Sequence, residues 1–321
     1  MRTILEILAS GDYVSGEAIS RELGITRAAV WKRIRSLQAQ GWEIISGGKR
    51  GYHLEPGDRL EPELWQHRLP TAYMGKGQVR YAPVVGSTNT ECKLLAAAGA
   101  PGGSLCLAEQ QDAGKGRLGR QWISPAGVGL WQSVLLRPKL SPTNAPMITL
   151  IAAMAMAQAV QETAAIDVRI KWPNDLVCGG KKLCGILLEA SADPDTIEYV
   201  VVGVGLNVLP GAVPEDLQNK AASVAAFAQP PARRDILVHY LAALEKLLQQ
   251  LEQGDFAGVF AAYRAASCTI GSRVRVSGAV ELEGIAEDID DTGALLVRTD
   301  DGVLHRVLSG DVSVRGMMGY V

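Results

Sequence analysis

The chain has 321 residues, 47% of them hydrophobic and 21% charged. That is long enough for two or three domains with their own cores, and too ordinary a composition for a disordered, collagenous or coiled-coil protein. Lysine and arginine number 32 against 34 acids, a net charge of −2, which excludes nucleic-acid binding through bulk charge and leaves only a local basic patch for that purpose.

The N-terminus, MRTILEILASGDYVSGE, has acids where a secretion signal needs an apolar core. The five scattered cysteines (Cys92, Cys106, Cys178, Cys184, Cys268) form no CxxC pair and no zinc-ligand spacing. Both features predict a cytoplasmic protein with reduced thiols and no protein-held metal. The most apolar run, residues 145–160, is alanine-rich and interrupted by Pro146, Thr149 and Gln158. It is expected to be a buried helix and not a membrane span.

Between Gly24 and His53 six basic residues (Arg27, Lys32, Arg33, Arg35, Lys49, Arg50) face a single acid, Glu43. Ile4, Leu5, Ile7 and Leu8 have helical spacing; Ser15 caps a second helix closed by Gly24; Thr26 caps a third that stops at Gly41. On the third, Val30, Ile34 and Leu37 form the packing side, while Arg27, Trp31 and Arg35 fall at i, i+4 and i+8 with Lys32 beside them. Period-two patterning then flanks Ser-Gly-Gly-Lys-Arg-Gly, a glycine-rich hairpin tipped by Lys49 and Arg50. Three helices and a basic hairpin make a winged helix-turn-helix, with Arg27, Trp31, Lys32, Arg35, Lys49 and Arg50 as the candidate DNA-binding residues. Such modules also serve protein contacts alone. A breaker-rich linker places the boundary at 60, giving domains over 1–60, 61–269 and 270–321.

In the central region Thr88 and Glu91 have the spacing of a capping box for a helix ending at Gly99, followed by the apolar helix over 146–163. Strands are expected over 104–109, 128–136, 168–172, 183–189 and 197–207. Hairpin breaks at Gly179-Gly180 and Asp193–Asp195 make the later ones antiparallel, so the domain is α+β on a mixed or antiparallel sheet. Helices over 233–252 and from 255 complete it. From residue 270, short strands with turns at 290–293 and 300–302 form a small SH3-like β-barrel.

Two segments carry chemistry. Ala113-Gly-Lys-Gly-Arg-Leu-Gly-Arg-Gln-Trp122 holds three glycines, three cations (Lys115, Arg117, Arg120) and no acid, a composition suited to wrapping polyphosphate. Its Gly114, Gly116 and Gly119 also fit G-x-G-x-x-G, but Trp122, Ser124, Pro125 and Gly127 follow where a dinucleotide fold needs a helix, and Arg137 and Lys139 stand where its ribose-binding acid belongs. A merely flexible, solvated loop is the plain alternative. The second segment runs Arg169-Ile-Lys-Trp-Pro-Asn-Asp-Leu-Val177, then Gly179-Gly-Lys-Lys-Leu-Cys-Gly-Ile186. It brings Lys181 and Lys182 near Asn174 and Asp175, although these residues equally suit an ordinary turn and a solvated hairpin.

The combination GKGRLGRQW, KWPND and KLCGILLE resembles biotin–protein ligases and, with the winged helix-turn-helix in front, the bifunctional ligases that also repress biotin operons. The likeness spans nearly the whole chain in one domain order. It implies a two-step reaction in which biotin and ATP, with Mg2+, give biotinyl-5′-adenylate and pyrophosphate, after which a lysine of the biotin carboxyl carrier protein of acetyl-CoA carboxylase attacks. By resemblance, Lys182, Arg117 and Asp175 are catalytic. Ser87, Thr88, Asn89, Gln111, Gly114, Lys115, Arg117, Lys182 and Gly185 bind biotin. Arg117, Arg120, Trp122, Asn174, Lys182, Asn207 and Arg315 bind the nucleotide. Asp175 orients or deprotonates the acceptor lysine. Operator DNA and a homodimer of the adenylate-bound form are the further expected partners. A sensor without catalysis and a lipoate ligase are the competing readings. Two departures from the family pattern stand out: Lys115 replaces an arginine in the loop, and residues 210–226 offer no aromatic ring to stack on adenine before Phe227.

Overall fold

The computed structural model describes residues 2–309 and 312–316, and these divide into two compact units, Met1–Leu69 and Pro70–Val321. The first unit holds helices α1 (Ile4–Leu8), α2 (Gly16–Leu23) and α3 (Arg27–Ala39) and an antiparallel pair, β1 (Glu43–Ser46) and β2 (Tyr52–Glu55). Each helix starts where a side-chain oxygen satisfies an orphan N–H: Thr3 with Glu6 in a capping box, Ser15 on the Ala18 N–H, and Thr26 on the Ala29 N–H. Gly24 closes α2 in the left-handed region. Ile4, Leu8, Ile19, Val30, Ile34, Trp42 and Leu54 share one core. The unit continues past residue 60, because Leu60, Leu64 and Trp65 are buried and the Trp65 indole N–H donates to the Leu60 carbonyl at 2.9 Å.

The second unit is built on a seven-stranded sheet in the order β3-β4-β5-β9-β8-β7-β6. Its strands are β3 (Val79–Val85), β4 (Leu105–Gln111), β5 (Gly129–Leu136), β6 (Arg169–Lys171), β7 (Asp175–Cys178), β8 (Lys181–Ala192) and β9 (Ile197–Asn207). Only β3 and β4 pair in parallel. The helices are α4 (Thr88–Ala97), α5 (Ala145–Ala164), α6 (Arg233–Glu252) and α7 (Phe256–Ala266). α4 covers one face, its Cys92 and Ala96 packing on Cys106, Leu135 and Val201. α5 and α6 pack together on the other, where Tyr240 of α6 faces Gln132. With both faces covered, all eight residues of β5 are buried, so its sequence is apolar on both faces except at Gln132 and Ser133. Among the described residues one helical segment, Pro142–Ala164, which contains α5, is long and apolar enough to cross a membrane, and most of it is buried in the domain.

Residues 270 onward form a five-stranded antiparallel sheet, ordered β13-β12-β11-β10-β14, from β10 (Arg273–Gly278), β11 (Leu282–Ile289), β12 (Leu295–Arg298), β13 (Leu304–Val307) and β14 (Val312–Gly316). Trp172 fastens it to the larger sheet, its backbone N–H donating to Thr269 Oγ1 at 2.9 Å and its indole N–H to the Gly293 carbonyl at 3.1 Å.

The expected capping box at residues 88 and 91 does not form. Ser87 is the N-cap without a side-chain cap bond, the Thr88 hydroxyl turns to Gln111 and Ser133, and Glu91 pairs with Arg80 at 2.7 Å. Tertiary partners inside the domain outbid the local motif. The loop at 113–122 holds one 3-10 turn at Arg117–Gly119, joins β4 to the antiparallel β5 and opens no α-helix, so it is not a dinucleotide-binding turn.

Candidate active site

One cavity of ≈ 980 Å³ opens on the α4 face of the large sheet. Its floor depends on missing side chains. Gly185 and Gly205 are cross-strand partners on β8 and β9, and a Cβ on either would lie 2.8 Å or 2.4 Å from the Trp122 ring. A Cβ on Gly203 would fall 2.0 Å from Asn89 Oδ1. These alternate glycines therefore form a trough that accepts an indole and an amide lying flat on the sheet.

At the start of α4 the polar groups are connected. The Gln111 carbonyl oxygen accepts from the Thr88 N–H at 2.8 Å and lies 3.1 Å from its hydroxyl, while the Gln111 amide donates to Ser124 Oγ at 2.8 Å. Ser133 Oγ lies 2.8 Å from Thr88 Oγ1 and 2.6 Å from Asn89 Oδ1. Ser87, Thr88, Asn89 and Gln111 all line the cavity.

Lys182 and Asp175 meet because of an irregular ladder. Asp175 pairs with Gly185 across β7 and β8, and regular alternation would turn Lys182, three residues before Gly185, to the opposite face. A bulge between Leu176 and Val177 pairs Val177 with Lys182 and returns the lysine to the Asp175 side. The ammonium then lies 2.7 Å from the carboxylate and 5.1 Å from the Trp122 ring centroid, with 22% and 15% of the two side chains exposed. The segment after β9 adds to this edge, since the Lys182 N–H donates to the Lys220 carbonyl and the Ala222 N–H to the Lys182 carbonyl, each at 2.9 Å. It supplies an aliphatic wall of Val213, Leu217 and Ala221. Phe227 packs on Gly179 outside that lining. Burial pushes the neighbouring Cys184 thiol well up, against the downward pull of the Lys182 ammonium, so it stays protonated.

The glycine-rich loop turns sharply at Leu118 and Gly119, both left-handed with φ of 57° and 70°. Gly114 is buried beneath it, where a Cβ would meet the Trp122 carbonyl at 2.3 Å, and is not itself part of the lining. Lys115 Nζ donates to Thr90 Oγ1 on α4 at 3.1 Å. Arg117 donates to Asn174 Oδ1 at 3.0 Å and also to the Ser309 carbonyl. Arg120 is exposed at the mouth. Buried Asn207 donates to the Ala222 carbonyl at 3.3 Å. Arg315 lies on β14, and its side chain is outside the described residues.

The structure thus gathers Ser87, Thr88, Asn89, Gln111, Lys115, Arg117, Arg120, Trp122, Asn174, Asp175, Lys182, Gly185 and Asn207 around one cavity. Sequence reasoning missed Lys171, Ser133, Ser124, Gly203 and Gly205. The period-two glycines of Gly203-Val-Gly205 on a strand were a visible signal; the serines carried none. Among the described lining residues seven are cationic (Lys115, Arg117, Arg120, Lys171, Lys181, Lys182, Lys220) and one, Asp175, is a carboxylate. Such a site is made for polyanions.

In the first unit Arg27, Trp31, Lys32 and Arg35 are exposed on one face of α3, with Trp31 57% accessible. Lys49 and Arg50 form the exposed hairpin tip, where the Arg50 guanidinium stacks 4.2 Å from the Tyr13 ring centroid.

Residues 81–207 match the biotin/lipoate A/B protein ligase family, 269–315 the biotin protein ligase C-terminal domain and 1–53 a helix-turn-helix domain. The bifunctional ligase/repressor BirA of Bacillus subtilis (strain 168) is 35% identical over 95% of both chains. The protein of the same description from Escherichia coli (strain K12) is 32% identical over 97% of this chain and 96% of its own. Among solved structures, the biotin protein ligase of Aquifex aeolicus in complex with biotin and ATP superposes with a TM-score of 0.67 at 27% identity, covering 74% of this chain and 99% of that one.

Proposed function

The chain belongs to the biotin protein ligase family, among its bifunctional ligase/repressors, and we propose that its cavity joins biotin to AMP and passes the biotinyl group to a carrier-protein lysine. The observation that carries the reading is the Lys182–Asp175 pair at 2.7 Å, set between a polar floor and a cationic loop. The floor of Ser87, Thr88, Asn89 and Gln111 suits the ring urea of biotin; a lipoyl dithiolane offers it no hydrogen-bonding partner. The acid tail then runs toward Lys182, the ATP phosphates toward Arg117 and Arg120, and the base against the aliphatic wall.

The chemistry requires a carboxylate oxygen to attack the α-phosphorus of ATP, forming the mixed anhydride as pyrophosphate leaves. Two anions must approach, so preorganised cations in a shielded site lower the main barrier. Lys182 sits where it can neutralise both. Arg117 and Arg120 would hold the phosphates from the protein side, and a Mg2+ arriving with ATP would supply further charge shielding there. One carboxylate, Asp175, is the only acidic lining group described, and that fits an ion held mostly by phosphate oxygens and water. In the second step the carrier lysine, about 99.9% protonated at neutral pH, must lose a proton before it attacks the anhydride carbonyl and releases AMP. Asp175 is the group placed to orient that ammonium and accept the proton. The exposed cations of α3 and the wing bind operator DNA, with two copies forming the adenylate-bound repressor in the cytoplasm.

The test is biotin-dependent ATP–pyrophosphate exchange by the whole protein. Wild type exchanges with biotin and not with lipoate, and Lys182→Ala loses about 10²–10³ in rate while keeping its melting temperature. Exchange that ignores biotin, or survives in Lys182→Ala, rejects the assignment.

A further inference from the structure

We infer that Glu189, held by Lys93, is a positioning residue that sets the direction of the hydrogen-bond chain beneath the cavity floor and so makes the Thr88 hydroxyl an acceptor for a ring N–H of the substrate. The inference rests on the reading of the cavity as a biotin site and assigns a specificity determinant within it.

The argument is one of proton accounting. Asn89 is buried, and its Nδ2 donates to Glu189 Oε2 at 2.7 Å and toward the Leu187 carbonyl at 3.5 Å. An ionised carboxylate only accepts, so the amide must turn its NH₂ to Glu189 and its Oδ1 inward. There Oδ1 takes the single proton of Ser133 at 2.6 Å. With that proton committed to Asn89, Ser133 has none left to give Thr88 across the 2.8 Å Oγ–Oγ contact, and the Thr88 hydroxyl directs its own proton to Gln111 Oε1 at 3.1 Å or to the Ser133 lone pair. Both Thr88 lone pairs are then left for a ligand N–H. If Asn89 flips, the Ser133 proton is released toward Thr88 and occupies one of those lone pairs.

Three observations show that this chain is built and not incidental. The missing Cβ of Gly203 makes the slot in which Asn89 Oδ1 lies. Lys93 donates to the second Glu189 oxygen from the next turn of α4. Burial would raise the Glu189 carboxyl, but the hydrogen bonds from Lys93 and Asn89 outweigh it and hold the group below its ordinary value, so the anchor is charged at neutral pH.

The experiment uses the whole protein and biotin-dependent pyrophosphate exchange. Glu189→Gln is nearly isosteric but can offer an NH₂, which frees Asn89 to flip. It is expected to raise the KM for biotin about tenfold, the effect of one hydrogen bond, with kcat and the KM for ATP within about twofold of wild type. Lys93→Met, which loosens the anchor from the other side, raises the biotin KM by a smaller factor. Ser133→Ala interrupts the same chain, so its effect and that of Glu189→Gln do not add in a double-mutant cycle. A wild-type biotin KM in both Glu189→Gln and Lys93→Met, or full additivity with Ser133→Ala, overturns the inference. Absence of biotin-dependent exchange in wild type would instead reject the biotin reading itself.

Discussion

Gly205 shows how much of the site depends on atoms that are absent. Trp122 comes from the flexible-looking end of the cationic loop, yet its ring is held flat because Gly185 and Gly205, side by side on neighbouring strands, leave it room. A methyl group at 205 would stand 2.4 Å from Trp122 Nε1, and backbone of a central strand cannot retreat, so the indole must. The expected result for Gly205→Ala is an overpacking cost of about 1–3 kcal/mol, taken mostly by displacement of Trp122 from the cavity wall. Ligand-induced quenching of indole fluorescence should shrink, and the KM for ATP should rise at least tenfold. Retention of both signals would show that the ring is not seated by this glycine pair. The same logic explains what residue-level reading could and could not see: Lys182 and Asp175 were visible as a charged hairpin, but the bulge that brings them to one face is a property of pairing, which neighbouring residues alone do not reveal. Ser133 lies in the middle of an apolar strand and became meaningful only when α4 settled over it.

At the level of elements, α2, α3 and the wing were legible because their caps and periodicity are local. β3 was not, because it is an edge strand interrupted by Pro83, and it joins the ladder only by parallel pairing with β4, which lies across the whole of α4. Thr88 misled for the opposite reason: a good local cap was drawn into a tertiary network. Within the wing the structure separates two cations that look alike in sequence. Arg50 stacks on Tyr13, whereas Lys49 projects at the tip. Lys49 is therefore the member we propose to neutralise a phosphate, and Arg35, on the exposed face of α3, a candidate for base edges. Lys49→Ala should weaken DNA binding to all sequences alike and lower the slope of log K against log salt by about 0.9. Arg35→Ala should cost about 1–3 kcal/mol on the preferred operator only. Anisotropy titrations at several salt concentrations measure both; an unchanged slope for Lys49→Ala would remove the wing from the interface.

For the whole molecule the question is how a filled cavity reports to DNA. We place the pivot at Arg117, whose guanidinium ties the cationic loop to Asn174, in the turn between β6 and β7, and to the Ser309 carbonyl next to β13. A phosphate that takes this guanidinium must replace those neutral acceptors, and the stronger charge-assisted pairing reseats the loop and the segment after β13 together. Leu118 in this loop sits in the left-handed region, which costs a non-glycine residue about 1–2 kcal/mol that a rearrangement of the loop would release. On the proposed function, adenylate formation would select a rearranged loop over this one. If the adenylate-bound arrangement is the one that self-associates, each dimer presents two winged helices to two half-sites, and operator affinity follows biotin supply through linkage. Coupling of about 1–3 kcal/mol, or roughly 5–150-fold, is expected in operator affinity when biotin and ATP are added together. It should be accompanied by a shift from monomer to dimer in sedimentation velocity at the same protein concentration, and Arg117→Ala should lose both responses while retaining its ligand-free DNA affinity. Equal operator binding with and without the two substrates, or dimerisation that persists in Arg117→Ala, would place the switch elsewhere in the chain.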